Sequence, residues 1–141
     1  MATILVVEDQ PNQRLLYQME LEEEGYRVVL ASDGREALQN VQGEHPDLVV
    51  LDLRMPGMDG IETLGRMMAL NSRLPVIIYS AYNSFMDNFM SWAAEAYLVK
   101  SSNVDLLKAE IRRVLLKRGE RGPIWLETGQ GAPQLSVSPA G

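Results

Sequence analysis

The feature that most constrains this chain is a run of four apolar residues, Leu48-Val49-Val50-Leu51, which stops at Asp52 and breaks into Leu53-Arg54-Met55-Pro56-Gly57-Met58-Asp59-Gly60. A strand with one wet face alternates apolar and polar residues. This run does not, so it suits the interior of a parallel sheet covered by helices on both faces. Such sheets carry their chemistry at the carboxyl ends of the strands. Asp52 and Arg54 stand at that end, Pro56, Gly57 and Gly60 turn the chain, and Asp59 is placed to cap a helix starting near Gly60. A lone aspartate closing a strand is commonly a turn or cap residue. What distinguishes Asp52 is the company that the other strand ends provide.

Thr3 to Val7 is a second apolar run, ending at Glu8-Asp9-Gln10-Pro11, with Pro11 suited to a first helical turn. The helix is expected to reach about Glu24, with Leu15, Leu16 and Met19 inward, Glu20, Glu22, Glu23 and Glu24 toward water, and Gly25 as its stop. Arg27 to Ala31 reads as a strand, and Asp33 with Glu36 has capping-box spacing for a short helix through Val41. After Asp52 come a helix over Ile61 to Leu70 and a strand over Val76 to Tyr79, closed by Ser80-Ala81. Ser84 to Ala94 places Phe85, Phe89 and Trp92 at helical spacing in a segment of weak propensity, which predicts the least rigid helix. Ala96 to Val99 is a fifth strand ending in Lys100, and Ser102, which has capping-box spacing with Asp105, or Asn103 is expected to cap a last helix. From Gly119 the chain becomes rich in Gly and Pro. Residues 1–118 are therefore expected to form one domain and 119–141 a flexible tail, too short for a second effector domain.

The composition removes several classes of function. A formal net charge of -6 argues against binding nucleic acid through its phosphates. With no cysteine there are no disulfides, thiolate metal sites or thiol nucleophiles, and the single His45, beside Pro46, cannot build a histidine cluster. The first residues lack a basic segment and no apolar run approaches the roughly 20 residues needed to span a bilayer, so a cytoplasmic protein without a membrane partner is expected.

Five strands alternating with five helices predict an α/β fold, a flavodoxin-like doubly wound parallel sheet of order 2-1-3-4-5. All strands then point one way, and Glu8, Asp9, Asp52, Ser80 and Lys100 gather at one edge. Clustered carboxylates repel one another and invite a divalent cation, and an all-oxygen donor set suits Mg2+. A phosphoryl group meeting Asp52 there finds an ammonium in Lys100 and a hydroxyl donor in Ser80, the parts of phosphoryl transfer to a carboxylate.

These residues carry a family resemblance. Glu8-Asp9 after the first strand, Asp52 followed by Arg54-Met55-Pro56-Gly57-Met58-Asp59-Gly60, Ser80-Ala81, and Tyr97-Leu98-Val99-Lys100 together resemble a stand-alone response-regulator receiver domain over about residues 1–118. The resemblance implies that Asp52 is the phosphoacceptor and a metal ligand, Asp9 a direct Mg2+ ligand, Glu8 a ligand through water and the Arg54 carbonyl a further ligand. It also implies that Ser80 and Lys100 contact the phosphoryl oxygens and that Tyr97 turns inward when Ser80 engages them. Arg54, Ala81 and Tyr82 hold positions that influence phosphoryl lifetime in such proteins; the bulk of Tyr82 predicts a moderately long-lived phosphoprotein. The implied partners are a histidine kinase or phosphotransfer protein and an unidentified downstream protein. The latter would read the face formed by the Ser84 helix, the Ala96 strand and the last helix, on a monomer or a weak phosphorylation-dependent dimer. Such a protein is not an enzyme beyond self-catalysed phosphorylation and dephosphorylation.

Two other readings compete. A pseudo-receiver that is never phosphorylated would be expected to have lost some of these residues, and all are present. A haloacid-dehalogenase-type phosphatase uses Asp-x-Asp-x-Thr after its first strand, which Glu8-Asp9-Gln10-Pro11 does not supply. One departure from the receiver pattern is Ser101, where proline usually follows the lysine. A cis bond before a non-proline residue costs roughly 2.5 to 4 kcal/mol, so a trans Lys100–Ser101 bond is expected.

Overall fold

Five short strands form one parallel sheet: Thr3–Val7 (β1), Arg27–Ala31 (β2), Leu48–Leu51 (β3), Val76–Ser80 (β4) and Ala96–Val99 (β5), in the order β2-β1-β3-β4-β5. The computed structural model describes residues 1–54, 59–81 and 93–121. Between the strands lie Pro11–Glu23 (α1), Gly34–Glu44 (α2) and Gly60–Leu70 (α3), and Asp105–Arg121 (α4) follows β5. A fifth helix expected over Ser84 to Ala94 falls almost wholly on residues 82–92, outside the described residues. The chain divides into two compact units, Met1–Ile111 and Arg112–Gly141, and the whole sheet belongs to the first. No helix among the described residues is long and apolar enough to cross a membrane.

The three central strands β1, β3 and β4 are buried on both faces, as their unbroken apolar runs require, and the edge strands β2 and β5 are part-exposed. Leu5, Val7, Val49, Leu51, Val76 and Ile78 share a core with Ala37 and Val41 of α2 and Leu64 and Met67 of α3. Residues of the opposite parity, among them Ile4, Val6, Leu48, Val50, Ile77 and Tyr79, are equally buried, as are Tyr17 and Leu21 of α1 and Leu107 and Ile111 of α4. Tyr17 meets Tyr79 edge-on, with ring centroids 5.5 Å apart. On this face Lys108 reaches from α4 to Glu20 of α1 at 2.6 Å, with Glu24 at 3.7 Å, so part of the expected solvent-facing acidic run forms ion pairs.

The inward face of α1 differs from expectation. Leu15, Leu16 and Met19 are 54%, 43% and 62% exposed, while Tyr17 and Leu21, one turn apart, face the sheet. Polar Gln13, Arg14 and Glu20 are also part-buried and bonded, so the inner face of this helix is not its most apolar one.

The ends of the helices follow local chemistry. α1 closes in a left-handed Gly25 (φ 94°), with Gly25 N–H bonded to Glu22 O and Tyr26 N–H to Leu21 O, the paired bonds of a Schellman motif. Asp33 caps α2 by accepting from Glu36 N–H at 2.8 Å, and Glu36 in return accepts from Ser32 N–H at 2.6 Å. Asp59 caps α3 by accepting from Glu62 N–H at 2.8 Å. At α4 it is Asn103, of the two expected caps, whose Oδ1 accepts from Asp105 N–H at 2.8 Å, and Asn103 is itself held by Ser101. The Lys100–Ser101 bond is trans.

Gly60 is required for space rather than for turning. A Cβ there would lie 2.3 Å from Leu53 Cα, because Gly60 N–H bonds to Leu53 O at 3.1 Å and brings the two backbones together. Backbone cannot yield as a side-chain tip does, so Gly60→Ala is expected to cost about 3 kcal/mol, the upper end of ordinary overpacking. Urea unfolding monitored by circular dichroism measures this. An unchanged midpoint would contradict the close approach.

Candidate functional site

The register of the sheet builds the site. The last paired positions of β1 and β3 are Val7 and Leu51, so Glu8 and Asp52 follow side by side one residue further on. Glu8 N–H bonds to Ala31 O at 3.0 Å and Asp52 N–H to Val7 O at 3.1 Å, which extends the ladder to these two acids and fixes their backbones. Pro11 starts α1 two residues beyond Asp9, and Arg14 holds the turn by donating to the carbonyl of Glu8 at 2.9 Å. From the other side, Lys100 N–H bonds to Ser80 O at 2.7 Å, so the lysine leaves β5 level with the end of β4.

Carboxylate oxygens of Glu8, Asp9 and Asp52 all lie within 4.8 Å of one another. Glu8 and Asp52 are buried, 1% and 6% exposed, and Asp9 is half-buried. Lys100 binds this cluster together: its Nζ donates to Glu8 Oε1 at 2.5 Å, Gln13 Oε1 at 2.8 Å and Asp52 Oδ2 at 3.0 Å. The second oxygens of the two buried acids accept from backbone, Glu8 Oε2 from Gln10 N–H at 3.1 Å and Asp52 Oδ1 from Arg54 N–H at 3.0 Å. The Asp9 carboxylate makes no side-chain hydrogen bond among the described residues.

Burial pushes the Glu8 carboxyl above its usual range, against the lowering effect of Lys100 and of Gln10 N–H. For Lys100, burial pulls downward, but the bonds from Glu8 and Asp52 outweigh it and hold the ammonium above the ordinary lysine value. The lysine is therefore a fixed positive charge, and the acids around it exceed what it can neutralise. Burial also pushes the Tyr17 hydroxyl up to about 12. Tyr17 lies behind the cluster, with Lys100 Nζ 5.9 Å from its ring centre.

A cleft opens over this cluster, and Glu8, Asp9, Asp52, Arg54, Ala81 and Lys100 all line it. Ser80 and Tyr97 do not reach its wall. Ser80 is completely buried at the end of β4, and Tyr97 is half-buried in β5, packed against the core. Tyr82 lies outside the described residues. Gln10 and Gln13 also line the cleft, and neither was singled out from the sequence. Their one legible signal was position: Pro11 fixes where α1 starts, and Gln13 falls in its first turn, beside the strand ends.

An oxygen-only donor set of three carboxylates in an open cleft, two of them tied to backbone amides, fits a hard divalent cation. The cation and an incoming anion would share the site with Lys100.

Comparison with known proteins agrees with this arrangement. The family model described as response regulator receiver domain matches residues 4–112. The chain is 36% identical over 114 residues to sporulation initiation phosphotransferase F of Bacillus subtilis, covering 79% of this chain and 92% of that protein. It is 38% identical over 139 residues to the transcriptional regulatory protein TcrA of Mycobacterium tuberculosis, where it spans about half (53%) of the longer protein. Among solved structures, the response regulator TrrA of Thermotoga maritima in complex with Mg2+ and beryllium fluoride is 41% identical, with a TM-score of 0.78 over 81% of this chain and 99% of that one. The same regulator in complex with the histidine kinase ThkA superimposes with a TM-score of 0.77 at 42% identity. The parallel sheet, the acidic edge and these matches together place the chain in the response regulator receiver domain family.

Proposed function

We propose that the protein is a cytoplasmic phosphoacceptor of a two-component phosphorelay, taking a phosphoryl group onto Asp52 from a histidine kinase or phosphotransfer protein. The observation that carries this reading is the trio of carboxylates within 4.8 Å of one another, two of them joined by one part-buried ammonium at the open edge of the sheet. Similar regulators crystallised with Mg2+ and beryllium fluoride, and with a histidine kinase, support it.

Glu8, Asp9 and Asp52 would hold Mg2+, with the Arg54 carbonyl as a further donor; bound there, the cation neutralises charge on the arriving phosphoryl group. Asp52 needs no general base, since a carboxylate is already a nucleophile once ionised. One of its oxygens forms a bond to the phosphorus of a donor phosphohistidine as the P–N bond breaks. The imidazole leaves with the electron pair and takes a proton from solvent. Lys100, at 3.0 Å from Asp52, balances the charge left on the acyl phosphate, and Ser80 donates a hydrogen bond to it after rotating toward the cleft. Arg54, Ala81 and Tyr82 govern access of water to the product. On the donor's side, α1 borders the cleft with Leu15, Leu16 and Met19 exposed, an apolar surface for the phosphodonor to seat on.

Output follows from what Ser80 does. When it turns toward phosphate, Tyr97 fills the space behind it and alters the face made by β5, α4 and the segment between β4 and β5, which the downstream partner reads. That segment is a fifth helix over Ser84 to Ala94 in this reading, because β4 and β5 are parallel neighbours and a parallel pair needs a crossover connection. The folded domain extends to about residue 118, and 119–141 form a tail. Catalysis is limited to self-phosphorylation and self-dephosphorylation.

Incubation with acetyl phosphate and Mg2+, followed by intact mass measurement, should add one phosphoryl group to the wild type and none to Asp52→Asn. Asp9→Ala should be labelled about a hundredfold more slowly, the general scale for losing one electrostatic stabiliser. Equal labelling of wild type and Asp52→Asn would remove the assignment. Mg2+ alone should stabilise the wild type by about 1.4 kcal/mol at ten times its dissociation constant, from simple mass action. A thermal midpoint as responsive to Mg2+ in Asp9→Ala as in wild type would exclude Asp9 as a ligand.

A further inference from the structure

Lys100 has three N–H donors and, among the described residues, three acceptors, and these acceptors are not alike. Glu8 Oε1 and Asp52 Oδ2 belong to carboxylates of the acidic trio, the groups that a metal ion and a phosphoryl group would engage. Gln13 Oε1, at 2.8 Å, is neutral and lies outside the trio. Gln13 sits in the first turn of α1, where Pro11 and the bonds of Arg14 to the carbonyls of Glu8 and Asp9 anchor the backbone, and it lines the same cleft. The Tyr17 hydroxyl also donates to Gln13 Oε1, at 3.4 Å from one turn further along. Two donors converging on one oxygen set the orientation of the amide, since the –NH2 end would face both of them unfavourably.

We infer that Gln13 is a positioning residue for Lys100: it is the one acceptor that stays with the ammonium when Glu8 and Asp52 are engaged by metal and phosphoryl group. It thereby lets the cation leave the carboxylates without losing every partner. Without Gln13, Lys100 has among the described residues only the two acids to bond, and any cation entering the trio must displace it at greater cost. This inference rests on the phosphoacceptor reading given above, but its primary test does not require phosphorylation.

The test is Mg2+ binding by calorimetry to four full-length proteins: wild type, Gln13→Leu, Lys100→Met and the double variant. Gln13 is one of three described partners of the ammonium before metal enters and the last of them afterward, so its removal weighs more on the metal-bound state than on the free one, and a hydrogen bond to a charged group sets the scale of that difference at about tenfold in an equilibrium constant. Gln13→Leu should therefore weaken Mg2+ binding about tenfold in the wild-type background and by less than about twofold in the Lys100→Met background. The phosphorylation rate with acetyl phosphate at saturating Mg2+ should also fall in Gln13→Leu, showing that Lys100 is misplaced even when metal is bound. Leucine is a good helix former, so the substitution leaves α1 intact. An equal loss of Mg2+ affinity in both backgrounds would mean that Gln13 acts on the fold, and no loss in either would mean that it does not position Lys100; both overturn the inference alone. A wild type that binds no Mg2+ would overturn it together with the phosphoacceptor reading.

Discussion

One ammonium shared among crowded carboxylates is the interaction on which the rest of this structure depends. Glu8 and Asp52 are placed side by side by the register of a buried parallel sheet, and neither can move away without breaking a backbone bond to a neighbouring strand. Like charges held that close are unfavourable, and a buried ion pair seldom gains enough from its own attraction to offset desolvation. Lys100 makes the arrangement tolerable rather than strongly stable. That marginal balance suits a site whose charges must be rearranged. A cluster already satisfied would have no use for a metal ion, and one with no cation at all would strain the fold while it waited.

The same economy appears around the cluster. α1 gives up apolar burial on its inner face to place Gln13, Arg14 and Glu20 where they bond, and it leaves Leu15, Leu16 and Met19 in water. Gly60 gives up a side chain so that α3 can begin directly against Leu53, which pins the backbone just after Asp52. Both features cost stability locally and hold the reactive edge in place.

Much of this was legible in the sequence. The apolar runs marked all five strands to within a residue, most plainly β1, β3 and β4, because strands buried on both faces cannot hide their composition. Asp33, Asp59 and Gly25 announced their helix ends, since capping chemistry is local. The convergence of Glu8, Asp9, Asp52 and Lys100 followed from topology alone. What the sequence did not show was which way α1 faces, because periodicity assumes that the inner face is the apolar one, and here polar side chains are drawn inward by the site. For the same reason Gln13 was missed: glutamine near a helix start has no distinguishing pattern until its neighbour Lys100, 87 residues away, is in place. Of the two residues expected to cap α4, Ser102 and Asn103, it is Asn103 that bonds Asp105 N–H while Ser101 holds it in place, a choice between adjacent polar residues that spacing cannot rank.

The most direct measurement of the central claim is fluorine NMR of the protein with beryllofluoride, a stable mimic of the phosphoryl group. If Asp52 accepts phosphate within the acidic trio beside Lys100, bound-fluoride resonances distinct from free beryllofluoride should appear only when Mg2+ is present. They should vanish on chelation and be absent in Asp52→Asn. Bound resonances that persist without Mg2+, or in Asp52→Asn, would contradict the account.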